Sequence, residues 1–332
     1  MRKGVLAYMG GRILQSLLVL WVVATLLFLL FRLAPGNPLV AYIDSTFTEE
    51  QQQALLQQFG LDKSLPEQYL IYLGNLLQGE FGDSFFFKKS VTEVVADVLP
   101  NTLYLTLTAL FFAYLLGVLG GIIMAWQRGT KFEQVGVTFT LMTRAAPEFW
   151  VGMIFLAFFA FKLQWFPSSG ATSPGTIYET EWDKLTSIDF WKHMVLPAAT
   201  MAIYLHGLPL LLMRSNMLEV MQDDFITMGR LMGYSEWRLM LRHAARNALL
   251  PVVTALALGV GYSIGGNVVI ENVFGWPGVG RILVRSVSAS DYPMAQGAFF
   301  FIAMIMVLMN LLADLLYGVL DPRVGASERA NA

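Results

Sequence analysis

Arg238, Arg242 and Arg246 stand four residues apart in the stretch MGRLMGYSEWRLMLRHAARNALLP, residues 228–251, which also holds Arg230, Glu236, His243, Gly229 and Gly233. On a helix, that spacing sets the guanidiniums along one face. Such a row docks against something polar; it does not by itself break a bond. Side chains that do are scarce in this chain. Cysteine is absent, which removes disulfides, thiolate metal sites and a cysteine nucleophile. No Gly-x-x-x-x-Gly-Lys-Ser/Thr and no Gly-Lys pair occurs, so nucleotide binding through a P-loop is excluded. His193, His206 and His243 lack metal-ligand spacing. His206 falls inside an apolar run, where an ionisable residue often has a function. A neutral packing histidine needs only one hydrogen-bond partner, and that reading is preferred. No catalytic residue, metal ligand or cofactor site is expected.

The elements that must position this segment are apolar. Of 332 residues, 56% are hydrophobic and 14% charged, where a soluble domain carries about a quarter charged. Runs long enough to span a bilayer, about 20 apolar residues, recur. Six spans are expected: Ile13–Phe31, Asn101–Trp126, Gln134–Phe161, Met194–Met213, Ala248–Ile270 and Pro293–Val319. The first is too long for a signal peptide, and Pro35 spoils the small-residue triplet after it, so it reads as an uncleaved span. The third is interrupted at Pro147, which would break or kink a helix. Its membrane part could begin only near that proline, with Gln134–Thr143 in the interface. Arg144 and Glu148, one turn apart, could pair there.

With the N-terminus inside, 13 of the 22 basic residues fall on inner segments, among them Arg12, Arg128, Lys131, Arg214 and the arginines of 228–251. Of the 24 acids, 15 fall outside. This asymmetry places both termini and residues 215–247 in the cytoplasm. The outer loop, 34–100, carries helix signals: Thr48 with Gln51 and a stop at Gly60, then Ser64 with Glu67, Pro66 in the first turn and a stop at Gly79. Two short helices are expected there, over the outer mouth. The division is then 1–33, tail and first span; 34–100, extracytoplasmic loop; 101–320, a core of five spans; and 321–332, a cytoplasmic tail.

Within 215–247, Gly233 reads as a hinge or helix stop, and Ser235 in the following YSE as a fresh N-cap. Trp237, Met240, Leu241 and Ala244 fall on a different face from the arginines, and Pro251 opens the next span. The plain alternative is a basic loop that obeys the positive-inside rule or binds anionic lipid. A second special stretch is ENVFGWPGVG, 271–280, where Gly275, Gly278 and Gly280 with Pro277 give a tight bend. Phe274 and Trp276 would be interfacial aromatics. The bend is either a capping turn that joins two spans, or an outer gate and docking surface.

The basic segment resembles the cytoplasmic loop of ABC-transporter permeases, with its glycine at Gly233 and its apolar-proline signature at Leu249–Pro251. The longer spacing between them is similar to the peptide-transport class. RLAPGNP (32–38), LPNTLYLTL (99–107), PEFWVGM (147–153), WKHMVLPAATMA (191–202), ENVFGWPGVGRILVRSV (271–287), DYPMAQG (291–297) and DLLYGVLDPRV (314–324) extend the likeness over most of the chain. Two positions depart from the family: TMG (Thr227–Gly229) stands for its acidic-Ala-Ala start, and LMG for its AKG.

The resemblance is to a B-type permease of the dipeptide/oligopeptide/nickel ABC importers. It implies an all-α fold with six spans in the bacterial inner membrane and a non-catalytic subunit forming half of a peptide pathway. Nickel chelates, glutathione or oligosaccharides are alternative cargoes. An ion-gradient-driven transporter is the rival class; it would show inverted repeats and mid-membrane charges, and neither is seen. The implied partners are a homologous second permease, two ATPases that use ATP and Mg, an extracytoplasmic solute-binding protein and the lipid bilayer, with no nucleic acid. The ATPase-coupling residues would be Gly229, Gly233, Tyr234, Ser235, Glu236, Trp237, Arg238, Arg242 and Pro251. The outer gate or binding-protein site would be Phe274, Gly275, Trp276, Pro277 and Gly278.

Overall fold

The computed structural model describes residues 2–33, 63–256, 259 and 268–320. The expected helix at Thr48–Gly60, the middle of the fifth span and the tail 321–332 lie outside these residues. Among the described residues the chain is almost entirely helical, with one two-stranded hairpin. Among these described residues, three helices are long and apolar enough to cross a membrane: Met9–Leu33, Val91–Trp126 and Tyr292–Leu315. Two bent pairs raise the number to five if each is one span. The chain divides into two compact units, residues 1–102 with 277–332, and residues 103–276.

In the first unit, α1 (Arg2–Leu33) and α14 (Tyr292–Leu320) pack antiparallel. Arg12 pairs with Asp314 at 3.3 Å near one end, and Phe31 meets Tyr292 edge-on at the other. Ala24, Leu27 and Phe28 form the buried stripe of α1, while Leu14, Leu18, Leu26 and Leu30 are exposed. A helix apolar on all sides, with so much leucine uncovered, belongs in lipid. Helix α2 (Leu65–Gln78) lies against the flank of α1, where Thr25 Oγ1 is 2.7 Å from Tyr69 Oη. Its ends match the sequence signals. The Ser64 backbone N–H and hydroxyl both donate to Glu67, at 3.0 and 2.8 Å, and hold that carboxyl below its ordinary range. Gly79 closes the helix at φ 77.

A hairpin follows, β1 (Asp83–Ser84) with β2 (Lys89–Ser90), in register Asp83 to Ser90. It is tied to the start of α14 by Asp291, a buried carboxylate. Asp291 accepts from Ser84 Oγ at 2.6 Å, from Phe86 N at 3.1 Å and from Met294 N at 3.2 Å. Nothing local in DYPMAQG (291–297) marks its aspartate as the hub of this corner. Helix α13 (Val279–Ser288) completes the unit.

Helix α3 (Val91–Trp126), about 54 Å long at 1.5 Å per residue, carries the boundary between the units at Thr102. In the second unit its glycines face α8 (Gly207–Val220). A Cβ at Gly117 would stand 2.6 Å from Pro209, and one at Gly121 2.6 Å from the Leu210 carbonyl. Glycines four apart let two helix backbones approach this closely.

Helices α4 (Lys131–Ala145) and α5 (Glu148–Phe155, continued by wide turns through Lys162) meet at 101°. Ala146 is extended at ψ 135 because the following Pro147 crowds it out of helical geometry. The break expected at Pro147 within Gln134–Phe161 is thus present, as two arms. The bend also separates Arg144 from Glu148: the Arg144 stem packs over Gly207, and no ion pair joins the two among the described residues. Glu133, at the start of α4, instead pairs with Arg214 of α8, whose Nε lies at 2.8 Å, and accepts from the Gly129 N–H at 2.6 Å. After α6 (Glu181–Thr186) come α7 (Ile188–Leu205) and α8, bent by 40° at His206. His206 is buried with Nδ1 2.5 Å from the Ile203 carbonyl, a satisfied packing histidine.

Candidate functional site

The basic segment begins with α9 (Asp224–Leu231). Ile226 and Gly229 form its buried face, and Gly229 leaves room for Leu239, whose Cδ2 would stand 2.6 Å from an added Cβ. Gly233 then closes the helix at φ 80. Its N–H donates to the Arg230 carbonyl and that of Tyr234 to the Gly229 carbonyl, both at 3.0 Å, the bond pair of a glycine-terminated helix end. The stop read from the sequence is thus a left-handed turn that an L side chain resists.

Ser235 caps the next helix, its Oγ accepting from Arg238 N at 3.4 Å. Helix α10 (Glu236–Arg238) lasts one turn and widens over Leu239–Ala244 into i→i+5 bonding before α11 (Ala245–Ala248). That widening breaks the expected faces. Met240 and Ala244 are buried with Leu239, whereas Trp237 and Leu241 are exposed. Arg238 turns back over the Tyr234 ring, and Arg242 and Arg246 line a separate groove. All three arginines are exposed, Arg238 over a ring and the other two at the groove.

The buried side is well anchored. Ile226, Met240, Ala244, Ala245 and Val252 share a core with Ile122 and Ala125 of α3 and Met213 and Met217 of α8. Asn216 Nδ2 donates to the Ala248 carbonyl at 3.2 Å. Pro251 stands in the first turn of the helical run 250–256, where its missing N–H costs nothing. The other side is apolar and uncovered: Leu231 is 79% exposed, Met232 61% and Trp237 69%. Around them stand Glu236, Arg230 and Arg238, with Arg230 Nε 3.2 Å from Glu236 Oε1. Reading faces from the arginines missed Leu231 and Met232. The signal was present as two large apolar residues directly before the glycine stop, where a solvent-facing turn is usually polar.

The bend at 271–280 is built differently from expectation. Gly275 ends α12 (Val268–Val273) at φ 58, and Trp276 N donates to the Glu271 carbonyl at 2.8 Å. Phe274 and Trp276 are 2% and 0% exposed. They pack with Phe190, whose ring centroid is 5.6 Å from that of Trp276. An interfacial aromatic pair is therefore corrected to core rings: burial of these side chains outweighs the surface preference that their types suggest. Beyond them, Asn101 donates to the Pro277 carbonyl at 2.8 Å, and Thr102 Oγ1 accepts from Val279 N at 2.9 Å, just after Gly278.

Among the described residues no group of acids and histidines could hold a metal ion. What the segment at 224–251 offers is a contact surface with an apolar centre, a charged margin and a rigid base.

Two family profiles match the chain. The N-terminal profile of binding-protein-dependent transport system membrane components covers residues 5–106. The profile described as binding-protein-dependent transport system inner membrane component covers 117–326. The di/tripeptide transport system permease protein of Pseudomonas aeruginosa is 36% identical over 316 residues, 91% of this chain and 94% of the relative. The oligopeptide transport system permease protein of Bacillus subtilis is 35% identical over 321 residues, covering 96% and 99%. The glutathione transport system permease protein of Salmonella choleraesuis is 35% identical over 320 residues, again 96% and 99%. A chain with membrane-length apolar helices, an anchored contact surface and these matches over nearly its whole length belongs to the family of inner-membrane permease subunits of binding-protein-dependent transport systems.

Proposed function

We propose that this permease forms half of the translocation pathway of an ATP-driven importer of di- and oligopeptides. The observation that carries this reading is the uncovered patch of Leu231, Met232 and Trp237 on a segment whose other face is locked into the core. A helix pair so firmly based, yet apolar outward, is made to be gripped by another protein. Two ABC ATPases grip it, binding ATP and Mg themselves, and pull on α3 and α8 through the shared core. Gly229, Gly233, Tyr234, Ser235, Glu236, Trp237 and Arg238 form this coupling surface, Arg242 lies at the groove beside it, and Pro251 begins the span that it moves. A homologous second permease completes the pathway, and a solute-binding protein delivers cargo outside. Gly275, Pro277 and Gly278 shape the outer bend around the buried rings of Phe274 and Trp276.

The names of the Pseudomonas and Bacillus relatives support peptide cargo. The Salmonella relative supports a second reading, glutathione, itself a small peptide. In this arrangement the chain makes six spans, the fifth through residues 248–270, with residues 34–100 outside. The termini and 215–247 lie in the cytoplasm. Because cysteine is absent, Glu236→Cys gives a single reporter. An impermeant thiol reagent should label it in inside-out vesicles and not in intact cells. Labelling from the outside of intact cells would refute the topology.

A further inference from the structure

A groove of about 360 Å³ lies beside the coupling segment within the second unit. Val118 and Ile122 of α3, Met213 of α8, and Leu241, Ala245 and Leu249 form its walls. The charged groups at it are Arg242 and Arg246, four residues apart and both exposed. Neither takes part in an ion pair among the described residues, whereas Arg214 and Arg230 each hold a glutamate. Val118 lies eight residues before the end of α3, so the groove reaches roughly 12 Å along that helix from its end. It is thus apolar at depth and cationic at its mouth.

We propose that this groove binds an anionic phospholipid of the cytoplasmic leaflet, one acyl chain along Val118 and Ile122 and the headgroup phosphate held by Arg242 and Arg246. Placing that end of α3 at the cytoplasmic face rests on the topology given above. The chemistry selects the occupant. Guanidiniums hydrogen-bond phosphate oxygens in a fixed fork. The groove walls offer an acyl chain only apolar contact. A protein segment would need matching carboxylates at two positions and an apolar stem between them; an anionic lipid has both parts in every copy. Occupied, the groove ties α3 and α8 to the base of the coupling segment, so the lipid would stiffen the lever on which the ATPases act.

The test uses the whole transporter, purified with its subunits and exchanged into discs of phosphatidylglycerol and phosphatidylcholine in equal parts. Lipid retained on this chain is then read by native mass spectrometry. Wild type should retain phosphatidylglycerol in preference. In R242Q/R246Q the preference should fall about 25-fold, from roughly fivefold per arginine. R242K/R246K should keep most of it, which separates lost charge from lost folding. Equal retention of the two lipids by wild type, or an unchanged ratio in R242Q/R246Q, would overturn the proposal. So would loss of the lipid to millimolar inorganic phosphate, which would mark a free-anion site, or cross-linking of Leu249→Cys to the second permease, which would show protein in the groove. Absence of ATPases from the purified assembly would count against the coupling reading instead, since the lipid ratio is read on this chain's own mass.

Discussion

The guanidinium carbon of Arg238 lies 4.3 Å from the centre of the Tyr234 ring, and His243 stacks on that ring with centroids 5.5 Å apart. One tyrosine thus joins the first turn of α10 to the wide turn that follows it. A cation over a part-exposed ring such as this contributes about 1 kcal/mol, enough to orient a short helix though not to hold a fold. Tyr234→Phe keeps the ring and should transport normally. Tyr234→Ala should insert and fold, yet lose several-fold in ligand-stimulated ATP hydrolysis by the assembled transporter. Equal activity of the two variants would remove the ring from the coupling surface.

Gly233 at φ 80 sets the angle between α9 and α10. A β-branched residue there costs about 1–2 kcal/mol of local strain, relieved by opening the turn. In Gly233→Val, uptake and stimulated ATP hydrolysis should fall together while the amount of protein in the membrane stays near wild type. Nothing lies within 4 Å of an added Cβ, so strain rather than collision is being tested.

Gly121 poses the opposite case, since an added Cβ would stand 2.6 Å from the Leu210 carbonyl and 2.7 Å from Met213 Cβ. Overpacking of this kind costs about 1–3 kcal/mol or more. Gly121→Leu should lower the thermal midpoint of the purified protein by several degrees and reduce its yield. Gly120→Ala, where only the flexible end of Leu210 lies near, should be milder.

Asp291 tests the first unit. Removing its carboxylate strands the buried Ser84 hydroxyl and the Phe86 N–H, and each donor left without a partner costs about 1–3 kcal/mol. Asp291→Ala should destabilise the protein in thermal unfolding, and Asp291→Asn, which keeps one acceptor oxygen, should lose less.

Local signals in the sequence carried through where the determinant was local. Ser64 and Glu67, Gly79, Gly233 and the cap at Ser235 all act within four residues of themselves, and each stands where its type and spacing put it. Pro147 showed a break, and the structure adds the angle, 101°, which depends on what α4 and α5 pack against. Features decided by distant partners were not legible. Asp291 holds a hairpin about two hundred residues earlier in the chain. Phe274 and Trp276 have the residue types of a membrane interface, and a core shared with Phe190, far off in sequence, buries them. The wide turn at Leu239–Ala244 was not legible either, and there the expected apolar face divides: Met240 and Ala244 are buried, Trp237 and Leu241 exposed. The glycines at 117 and 121 do have a readable spacing, that of closely packed membrane helices.

Selectivity for cargo should follow the external binding protein. Among the described residues, the three long candidate spans are apolar, each with an 18-residue window that holds no more than two charged residues. A site gripping a peptide's ammonium and carboxylate needs fixed charges or helix ends to meet them. Exchanging the binding protein for one that docks equally well but prefers another peptide should shift uptake to the new preference. An unchanged range of cargo would place selectivity in the permease.

The central claim, that residues 224–251 receive the force of ATP hydrolysis, is tested most directly by cross-linking from Trp237. With no native cysteine, Trp237→Cys carries the only thiol of this chain, on a side chain 69% exposed. In membranes holding the assembled transporter, a short bifunctional reagent should join it to an ATPase subunit, and ATP with a hydrolysis-blocking phosphate analogue should change the yield. Thr172→Cys, between the third span (134–161) and the fourth (194–213) and so outside in a six-span path that starts in the cytoplasm, should give no such product. An ATPase adduct from Thr172→Cys and none from Trp237→Cys, with the complex intact, would contradict the assignment of this segment as the coupling site.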